Sequence, residues 1–164
     1  MTVDDGLLGG RPSATAATEA ALSAIDQWNP STRAMLSVAE DSARETAREL
    51  DERLARGEWC GLLAGMTMSL KDNIDVAGMV TTAGSRILAN NMANRDAFIA
   101  ARLKRAGAVI VGKANLHEWV FGPTSQSTHY GPVRNPWDTS RIPGGSSGGS
   151  GASLAAGMLS LIHI

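Results

Sequence analysis

Hydrophobic and polar residues follow a helical period in the first third of the chain. Residues 39–56 carry a narrow apolar stripe on an otherwise charged segment, and Gly57 is the expected stop of this helix. The stripe recurs every three or four residues, at Ala43, Ala47, Leu50 and Leu54. Three Glu–Arg pairs at i,i+4 spacing support the same helix: Glu40–Arg44, Glu49–Arg53 and Glu52–Arg56. An earlier helix is predicted from a Ser13 cap to about Trp28, ended by Pro30.

The pattern changes after residue 60, where short apolar runs alternate with turns. Residues 66–71 (MTMSLK) alternate and predict a strand, and residues 108–111 (AVIV) predict a buried strand. Between them, residues 96–106 predict a helix that ends at Gly107. Its apolar face is expected to consist of Ile99, Leu103 and Ala106. The order of strand, helix and strand is that of an α/β fold.

The composition is that of a folded domain, or of a piece of one. Hydrophobic residues make up 43% and charged residues 19% of 164 residues. The net charge of -1 gives no sign of a nucleic-acid surface or a basic membrane patch, and no apolar run approaches the length of a membrane span. Asp4 and Asp5 stand where a signal peptide would be positive, and Cys60 is the sole cysteine. We therefore predict a cytoplasmic protein without a disulfide.

Two apparent binding motifs fail on inspection. Residues 107–113 (GAVIVGK) resemble a phosphate-binding P-loop, but Ala114 replaces the required Ser or Thr and the middle residues predict a strand. The three histidines, His117, His129 and His163, lack carboxylate or cysteine partners at ligand spacing. The sequence therefore predicts no nucleotide at residues 107–113 and no metal site.

Lys71 is one of three lysines and ends the strand over 66–71. Ligands and catalytic groups in α/β folds gather at the carboxyl ends of strands. A lysine buried there would lose its charge readily and could act as a general base. A lysine whose stem is covered while its ammonium reaches water is the alternative, and the residues alone favour that alternative.

The segment after the second strand is loop-like. Asn115 is expected to cap a short helix over 116–120, and residues 121–151 are expected to form loop. The loop ends in IPGGSSGGSG, which places three serines among five glycines before the helix-compatible run GASLAAG. This stretch is either a flexible linker or a loop that presents hydroxyls where larger side chains do not fit. A third alternative is an anion site at the start of a helix.

Three long blocks together carry a more specific signal. They are GMTMSLKDNIDVAGMVTTAGS, AGAVIVGKANLHEW and YGPVRNPWDTSRIPGGSSGGSGAS, in that order. In order and spacing they resemble the amidase signature family. The resemblance implies the N-terminal part of an α/β/α fold with a mixed central sheet, here truncated. It divides a single incomplete domain, residues 1–164, into N-terminal helices over 1–60, a signature core over 61–158 and a foreign end over 159–164.

The resemblance also implies site residues and a reaction. The family uses a Ser–cis-Ser–Lys triad, whose lysine falls on Lys71 and whose middle serine, after a cis peptide bond, falls on Ser146. Ser147 is expected to add a supporting hydrogen bond. Residues 124–130 (TSQSTHY), which include Ser125, are expected either to line one wall of the substrate pocket or to form plain surface loop. The implied partner is a small-molecule amide, without cofactor, and family members often form homodimers.

The chain departs from the family at its end. The attacking serine is expected about 24 residues after Ser146, beyond Ile164, and this serine would form the acyl-enzyme. The 164-residue chain is therefore predicted to be inactive. The ending LSLIHI (159–164) is predicted to be foreign, and a short genuine apolar strand is the alternative. Three alternatives stay open: the A subunit of a glutamine-dependent tRNA amidotransferase, with partner subunits; a non-catalytic binding protein, if the ending is genuine; and a phosphate binder at residues 144–151.

Overall fold

The fold alternates helices and strands, as the sequence predicts. The computed structural model describes residues 12–163, so Asp4 and Asp5 lie outside the described residues. The elements, in chain order, are α1 (Ala14–Thr32), β1 (Met35–Val38), α2 (Glu40–Ala55), β2 (Thr67–Lys71), α3 (Phe98–Arg105), β3 (Val109–Ala114), α4 (Gly148–Ala155) and β4 (Leu161–His163). Two short 3-10 helices, Arg86–Leu88 and Glu118–Val120, lie in the connections.

The four strands form one mixed sheet in the order β1-β3-β2-β4. β2 runs parallel to both β3 and β4, whereas β1 runs antiparallel to β3. The α/β class with a mixed sheet is therefore confirmed. β4 lies within residues 159–164, the segment predicted to be foreign, and it pairs with β2. The boundary at residue 159 stays a prediction.

Both central strands are buried along their whole length. All five residues of β2 and all six of β3 are buried, so the apparent alternation of residues 66–71 does not mark a solvent face. Helices cover both faces of the sheet, which is why neither strand has an exposed side. β3 also extends beyond the predicted residues 108–111, to Ala114, because Gly112 and Lys113 pair with β1.

The two faces of the sheet carry separate apolar cores. On one face, α2 packs Ala47 and Leu50 against Val109 and Val111. On the other face, α3 packs Ala100 against Met68, Leu70 and Ile110. The predicted face of α3 is correct in part: Leu103 packs against this core, but Ala100 is the fully buried residue, and Ile99 and Ala106 are half-buried. The reason is that the crossing position of α3 over the sheet, and not its own apolar stripe, decides which residue is covered.

Helix α1 begins as predicted but ends later. Ser13 is its N-cap, and its hydroxyl oxygen accepts from the Ala16 N–H at 3.0 Å. The helix passes through Pro30 and ends at Thr32, which corrects the predicted stop. A proline near the end removes one backbone hydrogen bond, and here the Ser31 and Thr32 hydroxyls both donate to the Trp28 carbonyl.

Helix α2 keeps its apolar stripe but only one of its predicted ion pairs. Arg44 binds Glu40 at 3.0 Å, as predicted. Arg53 and Arg56 instead both bind Glu58, beyond the end of the helix, so the Glu49 and Glu52 pairs were predicted wrongly. Leu54, predicted on the stripe, is exposed; the buried stripe consists of Ala43, Ala47 and Leu50.

Three local features differ from the prediction for reasons of tertiary structure. β1 was not predicted, because it is a four-residue edge strand that forms only by pairing with β3. Asn115 caps no helix: it is fully buried and its side-chain amide donates to the Arg33 carbonyl at 3.0 Å. α4 begins at Gly148, inside the segment predicted as loop.

Candidate active site

Lys71 lies at the carboxyl end of β2, opposite Ala114 in the central pair of strands. Burial on both faces of the sheet leaves the side chain only 5% exposed. This burial decides between the two alternatives for Lys71, since an ammonium reaching into water would be far more exposed. The side chain instead points to the loop that precedes α4.

The serines Ser146 and Ser147 meet Lys71 at that point. Lys71 Nζ lies 2.7 Å from Ser146 Oγ and 2.7 Å from Ser147 Oγ. The peptide bond between Gly145 and Ser146 is cis, as the resemblance implies. Ser147 occupies the N-cap position of α4, but its hydroxyl makes no capping bond and contacts Lys71 instead. The structure thus brings together three of the four predicted site residues.

Ser125, the fourth, lies on the other side of the glycine loop. It is fully buried, its hydroxyl donates to the Gly144 carbonyl at 2.7 Å, and its oxygen accepts from the Gly148 N–H at 2.8 Å. Both hydrogen-bonding functions of the hydroxyl are therefore used within the loop. This placement favours a role in shaping the loop over direct contact with a substrate.

The start of α4 offers few free N–H groups to an anion. The Gly148 N–H donates to Ser125 and the Gly149 N–H donates to the Asn115 carbonyl at 3.0 Å. An anion site at a helix start needs such N–H groups to be unused. The geometry therefore disfavours phosphate binding at residues 144–151.

Burial is the physical cause of a lowered pKa at Lys71. Desolvation disfavours the ammonium form and lowers the pKa of Lys71 below its ordinary value. Within residues 12–163, Lys71 forms no ion pair that would oppose this effect. A neutral amine in contact with two hydroxyls can accept a proton from either of them.

This pKa has a consequence for stability. Because the folded pKa of Lys71 lies below the unfolded value of about 10.4, the unfolded chain binds more protons between the two. The free energy of unfolding is therefore expected to rise as pH increases through that window, and to be lowest below the folded pKa. Urea unfolding over a pH series should show this rise in the chain and its loss in Lys71→Met. An equal rise in both would contradict the assignment.

A second buried lysine, which the sequence reasoning missed, lies close to Lys71. Lys113 Nζ lies 2.9 Å from Asp72 Oδ1, and their side chains are 0% and 1% exposed. As predicted, the Lys113 segment is a strand and not a phosphate loop. The available signal was a lysine inside an apolar strand, which must have a buried partner.

Among residues 12–163, no cluster of His, Cys, Asp or Glu could hold a metal ion.

The backbone N–H of His117 donates to the Ser146 carbonyl at 2.9 Å, so this histidine contributes its backbone to the site. No helix in the same range is both long and apolar enough to cross a membrane.

Sequence comparison finds relatives of this chain. The family model Amidase matches residues 16–162. The A subunit of glutamyl-tRNA(Gln) amidotransferase from Carboxydothermus hydrogenoformans is 45% identical over 145 residues, which cover 88% of this chain and 30% of that protein.

Two solved structures are similar over nearly the whole chain. A chain from a vestigial protein complex that reveals the evolutionary origins of an s-triazine catabolic enzyme has a TM-score of 0.91 and 44% identity, covering 96% of this chain and 35% of that chain. Native peptide amidase from Stenotrophomonas maltophilia has a TM-score of 0.86 and 36% identity, covering 95% and 33%. The chain spans about a third of the length of the proteins that it matches.

Proposed function

Because this chain belongs to the amidase signature family, we propose that the protein hydrolyses the C–N bond of a small carboxamide. Lys71 and Ser146 are the two members of a Ser–cis-Ser–Lys triad that this chain supplies. The observation that carries the proposal is the 2.7 Å contact between Lys71 Nζ and Ser146 Oγ, where Lys71 is buried at the carboxyl end of β2.

The proposed reaction is a proton relay followed by acyl transfer. Neutral Lys71 accepts the proton of the Ser146 hydroxyl, while Ser146 accepts the proton of the attacking serine. The attacking oxygen forms an ester bond to the carbonyl carbon, the C–N bond breaks, and the relay returns a proton to the departing ammonia or amine. Water then cleaves the ester by the same relay, which restores the serine and releases the carboxylic acid.

The attacking serine is expected outside these 164 residues. The family resemblance puts it about 24 residues after Ser146, in a segment that would also provide backbone N–H groups to the developing oxyanion. Residues 12–163 contribute the base and the middle serine. The proposed activity therefore belongs to the complete protein, and the 164-residue chain alone is expected to be inactive.

Ser147 and Ser125 have supporting roles in this proposal. Ser147 Oγ lies 2.7 Å from Lys71 Nζ and keeps the amine directed at the Ser146 hydroxyl. Ser125 connects both ends of the glycine loop around Ser146. Substrate contact by residues 124–130 stays a prediction. The proposed partner is a small amide, with no cofactor, in the cytoplasm, and the protein acts alone or as a homodimer.

A second function is favoured by one observation, the 45% identity to the A subunit of a tRNA amidotransferase. In that case the same triad would release ammonia from an amide for use by partner subunits. The test is whether amide cleavage by the complete protein requires added amidotransferase partners and ATP. Full turnover without them supports the stand-alone amidase. A binding protein without catalysis would show saturable amide binding and no turnover at all.

The direct test of the proposal is Ser146→Ala in the complete protein. Removal of the relay hydroxyl is expected to lower kcat by about 100-fold or more, because the attacking serine loses its proton acceptor. Ammonia release from short carboxamides measures the effect.

Ser147→Ala is the matched control, since it removes a hydroxyl at the same distance from Lys71. The fall in kcat in Ser147→Ala should be at least about tenfold smaller than in Ser146→Ala, because a supporting hydrogen bond contributes less than a proton acceptor. Equal losses in the two variants would contradict the assignment of Ser146 as the relay residue.

A further inference from the structure

The buried pair of Asp72 and Lys113 has no part in the proposed relay. An ion pair this deeply buried loses much hydration, and the attraction between its charges often does no more than offset that loss. Stability is therefore a weak explanation for it. A requirement for fixed geometry near Lys71 is a better one, because Asp72 is the next residue in the chain.

The pair is held in a single arrangement by further hydrogen bonds. Lys113 Nζ also donates to Thr81 Oγ1 at 2.9 Å and to the Val80 carbonyl at 3.4 Å. Asp72 Oδ2 accepts from the Thr82 N–H at 2.9 Å and from the Thr82 hydroxyl. All three donors of the ammonium and both carboxylate oxygens have partners, so neither side chain has freedom to reorient.

The pair lies on the face of the sheet opposite to the Lys71 side chain. Lys113 lies opposite Leu70 in the strand register, and successive strand residues point to opposite faces of the sheet. Lys113 and Asp72 are thus on one face, while Lys71 faces the serines on the other. The Asp72 N–H donates to the Ala114 carbonyl at 3.0 Å, which continues the strand pairing past Lys71.

Backbone hydrogen bonds also connect Asp72 to the loop that carries Ser146. The Asp72 carbonyl accepts from the Ala83 N–H at 2.9 Å, and the Ala83 carbonyl accepts from the Trp119 N–H at 2.8 Å. Two residues before Trp119, the His117 N–H donates to the Ser146 carbonyl. Asp72 is therefore connected both to the strand of Lys71 and to the segment that touches Ser146.

We propose that Asp72 and Lys113 form a positioning pair that sets the place of Lys71 Nζ relative to the Ser146 hydroxyl. Lysine has a flexible four-carbon stem, so the position of its nitrogen is defined only when the backbone of that residue is fixed. Neither member of the pair contacts the serines. The catalytic meaning of this inference rests on the proposed amidase function, whereas its geometry can be measured without turnover.

The small number of lysines makes that measurement direct. Lys71, Lys104 and Lys113 are the three lysines of the chain, so lysine carrying 13C at Cε gives three signals in an NMR spectrum. In the 164-residue chain we expect nuclear Overhauser contacts between the Lys71 ε protons and the β protons of Ser146 and Ser147. Their absence from the unsubstituted chain would overturn the proposal, because the geometry it explains would not exist.

The decisive variant is D72N/K113M, which removes the pair without changing the net charge at the site. The double change leaves no unpaired buried charge and nearly conserves volume, so the fold is expected to persist. We expect Lys71 to lose its contacts with the serines. Its pKa should rise towards the ordinary lysine value, because the freed amine gains hydration.

Two further variants complete the experiment. Asp96→Asn is the matched control, since it breaks the exposed pair of Asp96 and Lys104 at 2.7 Å and should leave Lys71 unchanged. If D72N/K113M does not fold, Thr82→Val replaces it. That variant removes one hydroxyl bond to Asp72 and keeps both charges paired, so a smaller change in the same direction is expected.

A folded D72N/K113M chain, or the replacement variant, with unchanged Lys71 contacts and unchanged Lys71 pKa would overturn the proposal. Amide turnover separates this failure from failure of the proposed function. If the complete protein shows no amide turnover, the amidase function is wrong; if Lys71→Ala leaves that turnover unchanged, Lys71 is not its base. The NMR result still decides whether the pair positions Lys71.

Discussion

Lys71→Ala in the complete protein is expected to lower kcat/KM for carboxamides by about 1,000-fold or more. Lys71 Nζ is the group that contacts both the Ser146 and the Ser147 hydroxyl, so its removal takes away the base of the relay. Burial lowers the pKa of Lys71, which favours the neutral, proton-accepting form of the amine. Ammonia release from one carboxamide substrate gives kcat/KM for both proteins, and the ratio of the two values tests the prediction.

The control for this prediction is Lys104→Ala. Lys104 is partly exposed and pairs with Asp96 on the surface of the protein, so its loss should leave turnover within about twofold of the unsubstituted protein. Unfolding curves of both variants establish that the fold persists. A folded Lys71→Ala protein that retains more than about a tenth of the activity would rule out Lys71 as the base.

Gly149→Ala is expected to destabilise the protein by about 3 kcal/mol or more. A Cβ at residue 149 would lie well under 3.0 Å from the backbone carbonyl oxygens of Asn115 and Ala34. Neither atom belongs to a flexible side chain, so α4 would have to move away from the sheet. Thermal unfolding should show a loss of about 10 °C in Tm.

Gly151→Ala is the matched control in the same helix. No atom lies within 4 Å of a Cβ built at residue 151, so the substitution adds helix propensity without a clash. It is expected to stabilise the protein by about 0.5–1 kcal/mol. If both alanines had the same effect, close approach at Gly149 would not be the cause. The displacement of α4 would also separate Ser147 from Lys71, so Gly149→Ala should lower activity as well.

The sequence was most informative where structure depends on near neighbours. The Ser13 cap, the apolar stripe of α2 and the strand ending in Lys71 follow from patterns within a few residues, and all three are present. The glycine loop before α4 was identified because it places three serines among five glycines within ten residues. The three signature blocks added the family, and similarity to solved amidase-signature structures over 91–96% of the chain confirms the fold.

The sequence failed where a residue's environment comes from distant parts of the chain. β1 needs β3 as a partner, and the burial of Ala100 depends on where α3 crosses the sheet. The pair joins Asp72, just after β2, to Lys113 on β3, and no short-range pattern records it. Arg53 and Arg56 bind Glu58 because a turn after α2 brings that carboxylate within reach of both.

The sequence by itself determined the family, the α/β order of elements, and Lys71 and Ser146 as the residues to examine. Only the tertiary structure decided whether Lys71 is a surface lysine or a buried amine. Lys71 and Ser146 are 75 residues apart in the chain, and their contact requires β2, β3 and α4 to pack together. That packing removes water from the amine and thereby lowers the pKa of Lys71, and no local pattern encodes this loss of water.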